Sequence, residues 1–283
     1  MGGNYWLASY PKSGNTWMRA FVYNVRVDAE VPADINDLAS GHHAAARPWL
    51  DDVLGFATSD LSADEVERLR PYACEWIAQG DSVGYHKIHD AFTPTVDGVP
   101  IVGREGTLGA LYIIRNPLDV APSAAHHWGC TLDDAIHRMA VNQDLAVSVR
   151  TLPTQVRQRL LTWSEHVLSW VDAPGLRVAV TRYEDLLDDP LSEFARVAEF
   201  LELPHDGESV RRAVRFSSFE ELSRQEQETG FRERPRNAER FFRSGRHGGW
   251  REALSDEQVH RVVAAHREVM RRFGYLDAAG EPR

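Results

Sequence analysis

The sequence predicts an α/β fold, a central parallel sheet flanked by helices on both faces. Three observations carry the prediction. Short apolar runs alternate with longer stretches of helical period along the chain. The run Leu108–Ile114 is apolar without alternation, as in a strand buried on both faces. The chain also has 283 residues with 43% hydrophobic side chains, enough for one full α/β core.

In chain order, Tyr5–Tyr10 is an apolar run ended by Pro11 and is predicted as the first strand, and Thr16–Val25 as the first helix. Ser62 followed by Glu65 forms a capping box that opens a helix over Ala63–Ile77. Ser82–Lys87 is the second predicted strand, Leu108–Ile114 the third and Arg177–Thr181 the fourth. Helical patterns run over Leu132–Val149 and Val156–Val171. Pro190–Leu201 places Leu191, Phe194, Val197, Ala198 and Leu201 on one helix face. Ser255 and Gln258 form a second box, opening a helix to about Phe273. With no internal repeat and no low-complexity linker, residues 1–283 are expected to form one domain.

Composition narrows the function. There are 32 basic and 42 acidic side chains, a formal charge of −10, which opposes broad nucleic-acid binding but allows a local basic pocket. Cys74 and Cys130 make neither a disulfide framework nor a zinc site, and no His/Cys cluster or carboxylate pair stands at metal-ligand spacing. The N-terminus has no signal-like pattern and no run reaches the roughly 20 apolar residues of a membrane span, so a cytoplasmic, membrane-free protein is expected. One stretch departs from the acidic background. Arg224–Arg251 carries Arg232, Arg234, Arg236, Arg240, Arg243 and Arg246, broken by Gly230, Pro235, Gly245, Gly248 and Gly249. Taken alone, it is explained equally well by an anion site and by a solvated loop.

The strongest chemical signal is Tyr10-Pro-Lys-Ser-Gly-Asn-Thr-Trp17, between the first strand and the first helix. Such a junction aims free backbone N–H groups and the positive helix end at the loop, which makes an anion cradle. Gly14 permits close backbone approach, Ser13, Asn15 and Thr16 offer side-chain donors, and Lys12 adds a charge. It is not a Walker A loop, because the lysine precedes the glycine.

The loop resembles the 5′-phosphosulfate loop of sulfotransferases that use 3′-phosphoadenosine 5′-phosphosulfate (PAPS), with Asn15 where that family has threonine. Further along, Tyr85-His-Lys-Ile-His89 is similar to the family's Lys-Thr-His, with Ile88 replacing threonine; His86 is expected at the surface. Arg115-Asn-Pro-Leu-Asp-Val-Ala-Pro-Ser123 matches the family's 3′-phosphate element in order and spacing. Tyr183, in Tyr183-Glu-Asp, resembles the tyrosine that contacts adenine; Ser217-Ser-Phe219 resembles the segment whose ring faces adenine opposite Trp17. Core packing also explains either aromatic residue. Phe242-Arg-Ser-Gly-Arg-His-Gly-Gly-Trp250 is similar to Arg-Lys-Gly-x-x-Gly-Asp-Trp, with Ser244 in place of the lysine and Gly249 in place of the aspartate.

The resemblance spans residues 5 to about 252 and implies a P-loop-like sulfotransferase fold, PAPS as donor and PAP as product, with no metal. It implies that His89 is the base, that Lys12 and Lys87 stabilise charge on the transferring group, and that Ser13, Gly14, Asn15 and Thr16 hold the 5′-phosphate. Arg115, Ser123 and Arg243, with Ser244 and Gly245, would surround the 3′-phosphate, and Arg246 is a candidate to replace the missing lysine. The acceptor implied is a small molecule bearing a hydroxyl, as in bacterial sulfotransferases that tailor secondary metabolites. Segments 36–60, 126–160 and 224–241, with Trp49, Phe56, Trp128, Phe231, Phe241 and Phe242, are expected to shape its pocket. A homodimer is compatible with the pattern. A P-loop-like kinase or NTPase would need Mg²⁺ ligands and a Walker lysine, whereas a non-catalytic nucleotide binder would have no reason to keep Lys12, Lys87 and His89 together. A protein- or glycan-directed enzyme is disfavoured by the lack of a secretory signal.

Overall fold

The computed structural model describes residues 2–28, 30–38, 41–145, 152–235 and 238–283. Its elements in chain order are β1 (Gly3–Ala8), α1 (Asn15–Arg26), α2 (Arg47–Leu54), α3 (Ala63–Ala78), β2 (Val83–Ile88), β3 (Thr107–Ile114), α4 (Pro117–Trp128), α5 (Leu132–Ala140), β4 (Asp144–Leu145), β5 (Gln158–Arg159), α6 (Trp163–Val171), β6 (Val178–Arg182), α7 (Tyr183–Asp188), α8 (Pro190–Phe200), α9 (Gly207–Phe216), α10 (Phe219–Thr229), α11 (Trp250–Ala253) and α12 (Asp256–Arg272). Four strands form one sheet in the order β2-β1-β3-β6, with all three pairings parallel.

Alternation along the central strands builds a core on each face. Trp6 and Ala8 of β1, with Ala110, Tyr112 and Ile114 of β3, pack among α3, α4, α6 and α12. The intervening Tyr5, Leu7, Leu111 and Ile113 pack against α1, α8 and α9. Both faces are therefore covered, which is why β1 and β3 read as continuous apolar runs. The two capping boxes expected at Ser62/Glu65 and Ser255/Gln258 open α3 and α12 as read.

Two helices are shorter than their patterns. The pattern over Leu132–Val149 stops at Ala140, where Val141 turns extended and the chain pairs Asp144–Leu145 with Gln158–Arg159; residues 146–149 lie outside the described residues. The pattern over Val156–Val171 begins its helix only at Trp163, because Thr162 and Glu165 form a capping box and Leu161 takes a left-handed φ of 57°. Arg224, assigned to the irregular basic stretch, is instead helical in α10, and Arg236 lies outside the described residues. Among the described residues, no helix is long and apolar enough to cross a membrane.

Candidate active site

The site collects at the carboxyl ends of the four parallel strands. Lys12 follows β1, His89 follows β2, Arg115 follows β3, and Tyr183 follows β6 directly. Parallel strands end on one edge, where their loops converge. Here they open into a cavity of about 970 Å³. The residues assigned from the sequence to catalysis or to the nucleotide all line it except Ser13 and Ser217.

The loop after β1 is built for an anion. Gly14 caps α1 with a φ of 103°, and a Cβ there would lie 2.7 Å from Cδ2 of Tyr183. The first-turn amides of α1 have no carbonyl within the helix to bind. Ser13 Oγ is buried with no hydrogen-bond partner among the described residues, and the same holds for Arg115 Nε. Unpaired buried polar atoms are rare and costly. An anion in the cradle would give Ser13 Oγ a partner, and a second anion beyond Tyr183 would do the same for Arg115 Nε, so the loop fits a phosphate. Asn15 departs from expectation, since Nδ2 donates inward to Leu7 O at 2.8 Å and to Ser9 Oγ at 3.2 Å. Its amide donors brace the end of β1 rather than reach into the cavity.

Two lysines and two histidines crowd one end of the cavity. Lys12 Nζ sits 3.9 Å from the centre of the Phe241 ring. Burial, reinforced by the charges of Lys87 and Arg115, lowers its pKa to about 7. Lys87 Nζ donates to Glu233 Oε2 at 2.8 Å. His89 Nδ1 donates to Ser9 O at 2.8 Å, which leaves the lone pair on Nε2. Burial and then the Lys87 charge hold this imidazole well below its ordinary range, so it is neutral at pH 7. Its carbonyl accepts from His166 Nε2 at 3.0 Å, and Tyr112 Oη lies 2.8 Å from the other ring nitrogen of His166. His43, not foreseen, stands beside it with ring centroids 5.8 Å apart, because residues 42–44 add a bridge to the free edge of β2 at Lys87. Burial, then Lys87, keeps His43 uncharged as well.

The opposite end gathers the basic loop. Arg115 lies over the Tyr183 ring at 4.3 Å, with one guanidinium nitrogen donating to Lys12 O at 3.0 Å. Arg243 reaches Pro122 O at 3.5 Å, next to Ser123. Gly245, with a φ of 57°, lies so close to Phe219 that a Cβ would come 2.3 Å from its Cγ. Asp119 ties this loop to α4 by accepting from Gly248 N at 2.7 Å and Trp250 N at 3.0 Å. Arg246 lines the cavity, yet its guanidinium pairs with Glu252 at 3.0 Å. Trp17 packs edge-on to Tyr183 at 5.6 Å, and Phe219 lines the same cavity.

Other placements differ from the sequence reading. Ser217 is fully buried, with its hydroxyl donating to Ala213 O at 2.8 Å in a helical turn; Ser218 lines the cavity instead. His86, expected at the surface, is buried: its Nε2 lies 3.1 Å from Asn4 Oδ1 and its Nδ1 accepts from His42 N at 3.0 Å. Of the aromatic residues in the acceptor-shaping segments, Trp128, Phe241 and Phe242 line the cavity. Phe231 packs behind the phenylalanine pair, Phe56 is exposed, and Trp49 stacks on His42 in a separate hollow. Glu226 fixes the pair, accepting from Phe241 N at 2.7 Å and Phe242 N at 2.9 Å. Neither Glu226 nor Glu233 carried a sequence signal, because both are ordinary acidic residues in a polar stretch.

Known proteins resemble this chain over most of its length. A family model described as a sulfotransferase domain matches residues 3–274. Cytosolic sulfotransferase 12 of Arabidopsis thaliana is 37% identical over 273 residues, covering 91% of this chain and 75% of the relative. Cytosolic sulfotransferase 17 of the same plant is 24% identical over 294 residues, covering 97% and 76%. Among solved structures, a mouse sulfotransferase complexed with PAP aligns with a TM-score of 0.61 at 17% identity, over 98% of this chain and 86% of that one. Retinol dehydratase in a complex with retinol and PAP aligns with a TM-score of 0.60 at 19% identity, over 94% and 81%. These structural likenesses concern the fold, a parallel sheet with helices on both faces.

Proposed function

The chain belongs to the sulfotransferase family, and from that premise we propose that it moves the sulfonate of PAPS to the hydroxyl of a small-molecule acceptor, with His89 as general base. The observation that carries this reading is the convergence of Lys12, Lys87, His89 and Arg115 on one cavity from three strand ends. The PAP-bound state of the structural relatives supports the choice of nucleotide.

PAPS supplies a sulfonate already bonded to a phosphate leaving group. His89 Nε2 accepts the acceptor's hydroxyl proton as its oxygen bonds to sulfur. The bond from sulfur to the 5′-phosphate oxygen breaks in line, and Lys12 meets the charge that develops there. Lys87 faces the sulfonate oxygens. The amides of residues 13–16 and the Ser13 hydroxyl hold the 5′-phosphate, while Arg115, Ser123 and Arg243 hold the 3′-phosphate and so select PAPS over ATP. Trp17, Tyr183 and Phe219 flank the adenine. Trp128, Phe241 and Phe242 give the acceptor side an apolar wall, which suits an acceptor with an apolar or aromatic body, such as a secondary metabolite. The named cytosolic relatives support a cytoplasmic enzyme.

Calorimetry with PAP and with Mg-ATP, followed by transfer of labelled sulfonate from PAPS to a panel of phenols and alcohols, tests the proposal. PAP is expected to bind and Mg-ATP to bind far more weakly. Tighter binding of Mg-ATP, with phosphoryl rather than sulfonate transfer, would return the site to a kinase-like reading.

A further inference from the structure

Glu233 has no part in the steps above, yet it occupies the centre of the reacting end. Its Oε1 accepts from Arg19 of α1 at 2.5 Å and its Oε2 from Lys87 of β2 at 2.8 Å. The residue is held from behind. Phe231 packs into the cluster of Ala20, Ile35, Leu38 and Leu222, while Asn36 accepts from Arg232 N at 2.8 Å and donates to Gly230 O at 3.0 Å. Arg19 and Lys87 are 13% and 9% exposed, whereas Glu233 keeps 34% of its side-chain surface open on the cavity wall. The carboxylate is thus a fixed bridge between a helix, a strand end and the basic loop.

We propose that Glu233 is a positioning residue, the built-in counter-ion that keeps the Lys87 ammonium charged and aimed at the transferring sulfonate. The inference rests on the role given to Lys87 above. The groups facing this carboxylate are almost all cationic or basic: Arg19 and Lys87 in contact, with Lys12, His43, His89 and His127 also within its field. Burial pushes its carboxyl up, but Lys87 and Arg19 outweigh that and hold it well below the carboxylate range, so it stays ionised. Burial pulls Lys87 down while Glu233 lifts it. A buried amine beside Arg19 and Lys12, stripped of the Glu233 carboxylate, would hold its proton less tightly. The two salt-bridge distances also fix where Nζ points.

The experiment needs no acceptor. PAPS and PAP differ by the sulfonate, so a weaker ammonium at Lys87 should cost affinity for PAPS and spare PAP. At about pH 8.5, calorimetry on Glu233→Gln is expected to show PAPS affinity down about fivefold and PAP affinity within about twofold of wild type. The ε-carbon resonance of Lys87, assigned with Lys87→Met and followed by NMR, is expected to titrate at lower pH in Glu233→Gln than in wild type, because the Glu233 charge that lifts it is gone. Glu233→Asp should restore part of both. Lys87→Met should show the same selective loss, and the double variant should be no worse than Lys87→Met. An unmoved Lys87 titration, or tighter PAPS binding by Glu233→Gln, overturns the proposal; the latter would make Glu233 a competitor for Lys87. If Lys87→Met binds both nucleotides as wild type does, the role of Lys87 falls and takes this one with it. If Lys87→Met is impaired and Glu233→Gln is not, the role of Lys87 stands and that of Glu233 alone is lost.

Discussion

The Nδ1–H of His89 donates to the carbonyl oxygen of Ser9 at 2.8 Å, joining the residue after β2 to the last residues before the β1 loop. A carbonyl can only accept, so this bond fixes the tautomer. The same serine links base and cradle, because its hydroxyl accepts from Asn15 Nδ2 at 3.2 Å and lies 3.3 Å from His89 Nδ1. The orientation of the proposed base is therefore set by the strand that also presents Lys12.

Replacing His89 by alanine should lower sulfonate transfer by about 10²–10⁴-fold, the usual cost of losing a general base, while PAP still binds in calorimetry. A variant with near-normal turnover would remove His89 from the reaction. Because burial and the Lys87 charge hold this imidazole well below its ordinary 6.5, the rate should stay level as pH falls through 6.5, with its acid limb lower.

Lys12, lowered to about 7, is only half charged at neutrality in the free protein. An anionic phosphate in the cradle should restore its proton. PAP affinity is then expected to fall as pH rises above 7, and calorimetry in buffers of different ionisation enthalpy should show net proton uptake at about pH 8.

The same group bears on stability. Unfolded, Lys12 titrates near 10.5; folded, it titrates near 7. Between those values the unfolded chain holds the extra proton, so this residue makes folding stability rise with pH across that window. Lys12→Met should raise the melting temperature by about 2 °C or more at pH 6 to 7, with the gain shrinking toward pH 10. Scanning calorimetry across that range checks the sign. Activity should drop in the same variant, a cost of keeping a charge where burial opposes it.

Gly14→Ala should cripple the cradle. A φ of 103° is strained for alanine, and the added Cβ would lie 2.7 Å from the Tyr183 ring. Strain of about 1–3 kcal/mol is expected at such a position. If the ring gives way, the adenine contact moves with it. PAP affinity should fall at least about tenfold, a loss readable by calorimetry on a variant that remains folded by circular dichroism.

Asp119→Ala should weaken the 3′-phosphate grip through the loop that Asp119 holds. It removes the acceptor for Gly248 N and Trp250 N and frees the loop bearing Arg243. Leaving one part-buried and one buried amide unpaired costs about 1–3 kcal/mol each. PAP affinity should drop about tenfold while that of adenosine 5′-phosphate, which lacks the 3′-phosphate, changes little. Equal losses for both nucleotides would mean the loop does not act through that phosphate.

Much of this protein was legible in its residues because the relevant physics is short-range. The continuous apolar runs of β1 and β3, the boxes at Ser62 and Ser255, and the strand–loop–helix junction at Lys12–Thr16 each depend on a few neighbouring positions. The box at Thr162 obeyed the same rule and was passed over, since the apolar period of Val156–Val171 continued through it. What tertiary structure alone decided is where side chains point and which distant groups meet. Asn15 turns its donors to the strand end, Ser217 turns into its helix, and His86 turns into the core because Asn4 and His42 supply its partners there. Glu233 reaches Lys87 across 146 positions of sequence. No periodicity or cap signals such a pair, because its contact is created only when the basic loop packs back over the carboxyl edge of the sheet. Sequence by itself thus determined the four strands of the main sheet, the caps at Ser62 and Ser255 and the strand–loop–helix junction at Lys12–Thr16; the folded chain decided the charge state of the groups that surround it.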